Sequence, residues 1–325
     1  MTRFGGPGTG MLVTMLAIVA PGQGAQTPGM LTAWLEVPGA ADHLAAAARA
    51  SGIDLVGHGT TSDADTIRDT AIAQPLIVAT SLMALRAVLD GRDVAEVAGV
   101  VAGHSVGEFS AVAAAGMMAD DEAVALVSRR AALMAQAAAE NPSGMAAVLG
   151  GDSDEVEAAI AAAGAWPANV NGGGQVVAAG AHEAIAALVD APPAKARIMP
   201  LQVAGAFHTP LMGSARVAFE DIVTGWPAND PRVALLSNAD GTVVTDAAEA
   251  LRRLASQITS PVRWDLCQER LAELGVTGIL ELAPGGVLTG LARRTLPDVA
   301  RLAIKGPDDI DAARAFVAEH AAEHG

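Results

Sequence analysis

The chain reads as an α/β protein: a parallel sheet clothed in helices and interrupted by a small β-α-β-β-α-β unit. Three observations predict this. Short β-branched runs alternate with long alanine-rich segments, the pattern of parallel α/β folding. Two Gly-rich turns, at Gly22/Gly24 and Gly103/Gly107, each follow an apolar run, where open α/β sheets place their ligands. Residues 140–204 break the alternation with an order of the ferredoxin-like type.

The first strand is "MLAIVA" (15–20), which runs directly into "PGQGAQ" (21–26). Arg3 ahead of "MLVTMLAIVAP" (11–21) faintly resembles a secretory signal, but the cleavage pattern is poor and a Gly-rich turn follows at once. The run is too short to span a bilayer, and no other stretch reads as better suited. Residues 1–14 read as a loose, disordered extension. Further strands are expected at 97–102, 233–237 and 277–282, and helices at 71–90, 106–116, 121–139, 246–257 and 265–274.

Within the interruption, "GMAAVLG" (144–150) reads as a strand and "SDEVEAAIAAAG" (153–164) as a helix with Ser153 as N-cap and acids in its first turn. "WPANVNGGGQVVAAG" (166–180) reads as a hairpin around glycines 172–174. A helix at 181–191 and a strand at 196–203 complete the set. The expected division is an extension (1–14), a discontinuous body (15–139 and 205–325) and an inserted unit (140–204).

With 325 residues, 51% of them hydrophobic, the chain can bury a sizeable core. Its formal net charge of −16 argues against nucleic acid or an anionic membrane as main partner. The single cysteine, Cys267, permits no internal disulfide and points to a reducing cytoplasm.

Gly103-His104-Ser105-Val106-Gly107 fits the nucleophile-elbow pattern, in which a tight strand-to-helix turn lifts a serine hydroxyl above the sheet edge. The first N–H groups of the following helix then point at any oxyanion formed there. Such a serine needs a base. His104 is adjacent and should point away; His43, His58 and His182 sit in surface-like sequence; His320 and His324 lie in a charged tail. His208, in "VAGAFHTPLM", falls at the junction of the two units, where pockets form. A hydrolase with the chain order Ser–Asp–His would instead use His320 or His324.

Five segments occur in order: "PGQGAQ" (21–26), "GHSVGE" (103–108), "GAFHTPLM" (205–212), "QITSPVRW" (257–264) and "PGGVLTGL" (284–291). Together they resemble the malonyl-CoA:acyl carrier protein transacylase family over nearly all of residues 15–305. The resemblance implies an α/β-hydrolase-like core interrupted by a ferredoxin-like subdomain. It implies that Ser105 takes the malonyl group from malonyl-CoA as an ester and that His208 acts as base and acid. The family has no carboxylate third member; a backbone carbonyl, here that of Gln257, orients the imidazole. The oxyanion hole falls to the N–H groups of Gln23 and Val106. No cofactor and no metal are implied, malonyl-CoA being a substrate.

The malonyl carboxylate needs a cation, and "VSRRAALM" (127–134) offers two. Helical periodicity cannot choose between Arg129 and Arg130; the family's spacing from the elbow selects Arg130. Phe207, just before the histidine, matches the residue that accompanies malonyl rather than methylmalonyl selection in related polyketide domains. Asn169 and Asn171 match positions near the CoA or pantetheine arm and read equally as hairpin asparagines. An acidic carrier protein would dock on positive surface, for which Lys195, Arg197, Arg293 and Arg294 are the candidates. Ser260, Ala283 and the glycines 172–174 depart from the family's usual residues without removing a catalytic group. The rival expectations are a serine esterase, a non-catalytic docking module, and the same chemistry serving a polyketide synthase.

Overall fold

Strand β1 (Leu16–Ala20) is buried at every residue, as a central strand covered on both faces must be. The computed structural model to which it belongs describes residues 14–321; all but one residue of the expected extension, and His324, lie outside the described residues. After β1 come α1 (Ala40–Ser51), α2 (Leu55–Thr60), α3 (Thr70–Leu89), β2 (Val100–Gly103), α4 (Gly107–Ala114) and α5 (Asp120–Glu140). Then follow β3 (Ser143–Gly150), α6 (Ser153–Ala162), β4 (Trp166–Gly172), β5 (Gln175–Ala181), α7 (His182–Asp190) and β6 (Ala196–Leu201). The last third holds α8 (Gly213–Val223), β7 (Ala234–Leu236), β8 (Val243–Val244), α9 (Ala247–Ser256) and β9 (Val262–Arg263). It ends with α10 (Trp264–Glu273), β10 (Gly278–Glu281), α11 (Val287–Thr295), β11 (Ala300–Ala303) and α12 (Ile310–His320).

Six strands in the order β11-β10-β1-β2-β7-β8 form the main sheet, parallel except for β8. The register sets Ala17 beside both Val100 and Ile279, so the strands end together at Ala20, Gly103, Leu236 and Glu281. The loops carrying Gln23, Ser105 and Asn238 therefore leave one edge of the sheet. Glu281, fully buried at that edge, accepts from the N–H groups of Leu288 and Thr289 and so anchors the N-terminus of α11.

The second sheet has the order β6-β3-β5-β4-β9. Its first four strands, with α6 and α7, make the expected ferredoxin-like arrangement. Gly173 and Gly174, at φ +56° and +76°, supply the two positive-φ positions that a two-residue hairpin turn demands. The fifth strand, β9, comes from outside residues 140–204 and pairs in parallel with β4, Val262 beside Asn169.

Two expectations need correction. Asp152, not Ser153, caps α6, accepting from the N–H groups of Asp154 and Glu155. One stretch does have the length and hydropathy to cross a membrane: α3, of which 83% of the apolar window is buried, and it packs as a core helix. Elements β8, β9, β11, α1, α2, α8, α11 and α12 are not among those expected from the sequence.

Candidate active site

Ser105 has a φ of +52°, a left-handed conformation that a side-chain-bearing residue enters only under constraint. The constraint is crowding. A Cβ on Gly103 would be driven into the backbone of Gly107, and one on Gly107 into the carbonyl of Ala20. Both positions demand glycine, and the turn between them raises Ser105 over the sheet edge. Ser105 N–H donates to Asn238 Oδ1 at 2.7 Å while Asn238 Nδ2 donates to Gly103 O at 2.7 Å, so the loop after β7 braces the elbow from both sides.

Ser105 Oγ lies 2.7 Å from His208 Nε2, and His208 Nδ1 lies 2.8 Å from Gln257 O. A carbonyl only accepts; Nδ1 therefore carries the proton, and the lone pair of Nε2 faces the hydroxyl. His208 is 4% exposed, with a left-handed backbone at φ +62°. Burial, reinforced by the charge of Arg130, pushes its imidazole down to about 3, so it is neutral at working pH. Thr209, whose hydroxyl donates to Ala206 O at 2.7 Å, and Ser143, which accepts from Ala206 N–H at 2.9 Å, fix the loop that presents it.

Burial settles which arginine faces inward: Arg130 is fully buried and Arg129 exposed. Arg130 donates from Nη1 to Gln74 Oε1 and from Nη2 to Gln257 Oε1, each at 2.7 Å, and its Nε has no partner among the described residues. Burial pulls it down to about 10, with Glu108 opposing, which leaves it a cation. Its guanidinium carbon lies 5.6 Å from the centre of the Phe109 ring.

A cavity of about 400 Å³ opens over Ser105, lined by Gln23, Val106, Asn169, Phe207 and His208 among others. Arg130 lies one layer beneath this surface, reaching it through Gln74. The N–H groups of Gln23 and Val106 donate to no other described residue. Asn171 also lines the cavity, but its Oδ1 lies 2.9 Å from His104 Nε2, which ties it to the nucleophile's neighbour. Lys195, Arg197, Arg293 and Arg294 are all exposed. Arg294 donates to Gln175 Oε1 at 3.0 Å, and the strand register sets Gln175 beside Leu149 and Leu149 beside Arg197. These two arginines thus flank the hairpin end at the cavity mouth.

The charged tail expected around His320 is an ordered helix end at that residue. His320 is 8% exposed at the end of α12, its Nδ1 lies 3.2 Å from Thr277 Oγ1, and it sits at the amino ends of the strands, across the sheet from Ser105. Cys267 is buried, and burial pushes its thiol up, away from nucleophilic use. Among the described residues no group of three or more His, Cys, Asp or Glu could hold a metal ion.

The sequence reading passed over three polar residues at the site. Gln74 is a buried glutamine on the mostly apolar helix α3, Asn238 is a polar residue just past the end of β7, and Glu108 closes the elbow motif itself. A buried amide or carboxyl on an apolar element was the available signal. Elsewhere, a larger open cleft of about 860 Å³ lies at the far end of α4, lined by Arg86, Asp93, Asp120 and Arg232 among others. Four of its charges are consumed in pairs, Arg86 with Asp120 at 2.6 Å and Arg232 with Asp93 at 2.6 Å, while Arg92 donates to Leu89 O and Glu122 accepts from Ala119 N–H.

A glycine-flanked serine elbow over a parallel sheet, with an antiparallel sheet inserted beside it, defines the class of α/β acyl-transferring enzymes. An acyl transferase domain family matches residues 18–322. The malonyl CoA-acyl carrier protein transacylase of Mycobacterium tuberculosis is 51% identical over 302 residues, which cover 91% of this chain and 98% of that protein. The crystal structure of MCAT from the same organism superposes with a TM-score of 0.87 at 50% identity, over 92% of this chain and 99% of that one. A malonyl-transacylase in complex with its type II PKS acyl-carrier protein gives 0.86 at 29% identity, over 93% and 99%. The chain belongs to the malonyl CoA-acyl carrier protein transacylase family.

Proposed function

We propose that the protein transfers the malonyl group from malonyl-CoA to the phosphopantetheine thiol of acyl carrier protein, supplying fatty acid biosynthesis. One observation carries the chemistry: Ser105 Oγ at 2.7 Å from His208 Nε2, with His208 Nδ1 on Gln257 O. His208 takes the hydroxyl proton as Ser105 Oγ bonds to the thioester carbonyl carbon. The resulting oxyanion faces the N–H groups of Gln23 and Val106; losing one such donor typically costs ~10²–10³ in turnover. Collapse breaks the carbon–sulfur bond, and the CoA sulfur leaves with the proton from His208. The carrier's thiol then repeats the sequence in reverse on the malonyl-serine. Every bond and proton balances without a cofactor.

Arg130 is the group we assign to the malonyl carboxylate. A buried cation with an unpartnered Nε favours an anionic acyl group and leaves a neutral one beside an unanswered charge. Phe207, 6% exposed against the cavity, fills the space an α-methyl would need; one methyl is worth ~1–3 kcal/mol of discrimination. Asn169 and Asn171 would border the pantetheine arm. Lys195, Arg197, Arg293 and Arg294 would receive the acidic carrier, in keeping with the solved neighbour that holds one. The two sheets support reading 140–204 as an inserted unit within 15–139 and 205–325. A buried thiol as sole cysteine suits the cytoplasm.

The test is the intact mass of the protein after malonyl-CoA is added without acceptor, beside Ser105→Ala. The expected result is a gain of one malonyl group, absent in the variant and discharged by carrier-protein thiol. Thioester consumed with no acceptor and no lasting adduct would point instead to a hydrolase.

A further inference from the structure

Glu108 is 5% exposed and lies directly behind the serine–histidine pair, yet the mechanism above does not use it. Its Oε1 accepts from Asn238 N–H at 2.7 Å, and its Oε2 accepts from Gln257 Nε2 in a very short contact. Those two partners are the residues that hold the reacting groups. Asn238 Oδ1 fixes Ser105 N–H, and the carbonyl of Gln257 fixes His208. The Gln257 side chain has a second duty, since its Oε1 accepts from Arg130 Nη2 at 2.7 Å.

A side-chain amide has one accepting end and one donating end. Arg130 can only donate, so the Gln257 oxygen must face it. The Gln257 NH2 is then left facing Glu108 as its shortest contact, with Ser105 O and Asn238 Oδ1 as longer acceptors at 3.3 Å each, and an ionised carboxylate accepts on both of its oxygens. The donor-to-acceptor direction runs unbroken from Arg130 through Gln257 to Glu108, with Asn238 N–H arriving from the other side. The charged and titratable groups around the carboxyl are Arg130, Arg253, Asp240 and the Cys267 thiol. Burial pushes the carboxyl up while Asn238 N–H, Arg130 and Arg253 work against that push, and an N–H donor on each of its two oxygens is the arrangement that the ionised form accepts.

We propose that Glu108 is a positioning residue for acyl transfer. By accepting from Gln257 and Asn238 it locks the amide of Gln257 in the orientation that lets one residue serve both His208 and Arg130. This rests on the reading of Arg130 as the carboxylate site. Placing an amide at 108 sets a donor against a donor. Either Asn238 N–H loses its acceptor, or the Gln257 NH2 loses its shortest one and keeps only the 3.3 Å contacts to Ser105 O and Asn238 Oδ1, or Gln257 turns over and presents NH2 to a guanidinium that can only donate.

The experiment compares Glu108→Gln, Glu108→Asp and Gln257→Leu with wild type at pH 7 and 8.5, reading kcat and KM for malonyl-CoA and the rate with acetyl-CoA. Expected for Glu108→Gln is a fall of roughly 10- to 100-fold in kcat/KM for malonyl-CoA, the range set by a lost hydrogen bond to a charged group, with a narrowed preference over acetyl-CoA. Glu108→Asp, which keeps an acceptor-only carboxylate, should recover most of it. Gln257→Leu keeps the backbone carbonyl on His208 and should match Glu108→Gln, with the double variant no worse than either single one.

Additive losses overturn the proposal, as does an unchanged kcat/KM at both pH values. A lower KM for malonyl-CoA in Glu108→Gln also overturns it, because the carboxyl would then act only as a charge opposed to the substrate's. Equal loss with both thioesters, in step with a lower Tm and no recovery in Glu108→Asp, means a merely structural carboxyl. If Glu108→Gln does not fold, full malonyl preference in Gln257→Leu overturns the proposal alone. An Arg130→Ala variant separates the layers: should it keep malonyl preference, the carboxylate-site reading itself falls.

Discussion

The two clefts at opposite ends of α4 differ in a way that volume hides. The far cleft is the larger, about 860 Å³ against about 400 Å³, and holds more formal charge. Two of its three arginines, Arg86 and Arg232, are paired with aspartates at 2.6 Å at the surface, where such pairs contribute about 0–1 kcal/mol, and the third, Arg92, donates to a backbone carbonyl. At the smaller cavity a neutral imidazole faces a hydroxyl, two backbone N–H groups lack partners, and a guanidinium beneath keeps one nitrogen unbonded. A site for chemistry shows itself by polar capacity left unused in a dry place, not by size.

Substitutions on the two sides should break that contrast or sharpen it. The largest effect belongs to Ser105→Ala, expected to lower transfer by ~10⁴-fold or more while the protein keeps its Tm; activity within tenfold of wild type would remove the serine from its role. Arg130→Ala should come next, at ~10²–10³-fold in kcat/KM for malonyl-CoA, the usual consequence of truncating one partner of a buried charge contact.

The pH profile is a smaller test. An ordinary histidine, near 6.5, would lose about tenfold in base capacity by pH 5.5. His208 is held down to about 3, so kcat/KM should change less than about twofold from pH 7 to 5.5; a limb at 6.5 would contradict this placement. Stability carries the same sign. Below 6.5 the unfolded chain takes up a proton that the folded His208 refuses, so its contribution is full above 6.5 and is lost as pH falls toward about 3. The acid-side decline in Tm should be shallower in His208→Gln. The smallest effect is Arg232→Ala in the far cleft, where turnover should stay within about twofold and stability within ~1 kcal/mol by denaturant titration.

Much of this was legible in the sequence, for identifiable reasons. The elbow could be read because crowding at Gly103 and Gly107 leaves only glycine possible, and sterics of that kind write themselves into composition. The hairpin could be read because its turn needs two positive-φ residues in succession. Strand β9 could not: two residues carry no periodicity, and its partner β4 lies about ninety positions earlier in the chain. The polar layer under the site failed to stand out for a related reason. Gln74, Glu108 and Asn238 matter through one another, and such a relation has no local pattern. His320 was misjudged because proximity to a terminus says nothing about packing; Phe316, with its ring centre 4.5 Å away, and Thr277 hold it.

Strand β9 has one more consequence. Its backbone is bonded on two sides at once, Arg263 N–H donating at 2.8 Å to the carbonyl of Asn238 in the loop that braces Ser105, while Val262 and Arg263 pair with Asn169 and Val170 of the second sheet. The two walls of the chamber are thereby tied together by backbone hydrogen bonds. Under the function proposed above, a chamber of about 400 Å³ would admit one pantetheine tail at a time. The outgoing coenzyme must clear the doorway before the incoming carrier can use it, and the sequence of visits follows from occupancy, with no need for a signal between the two.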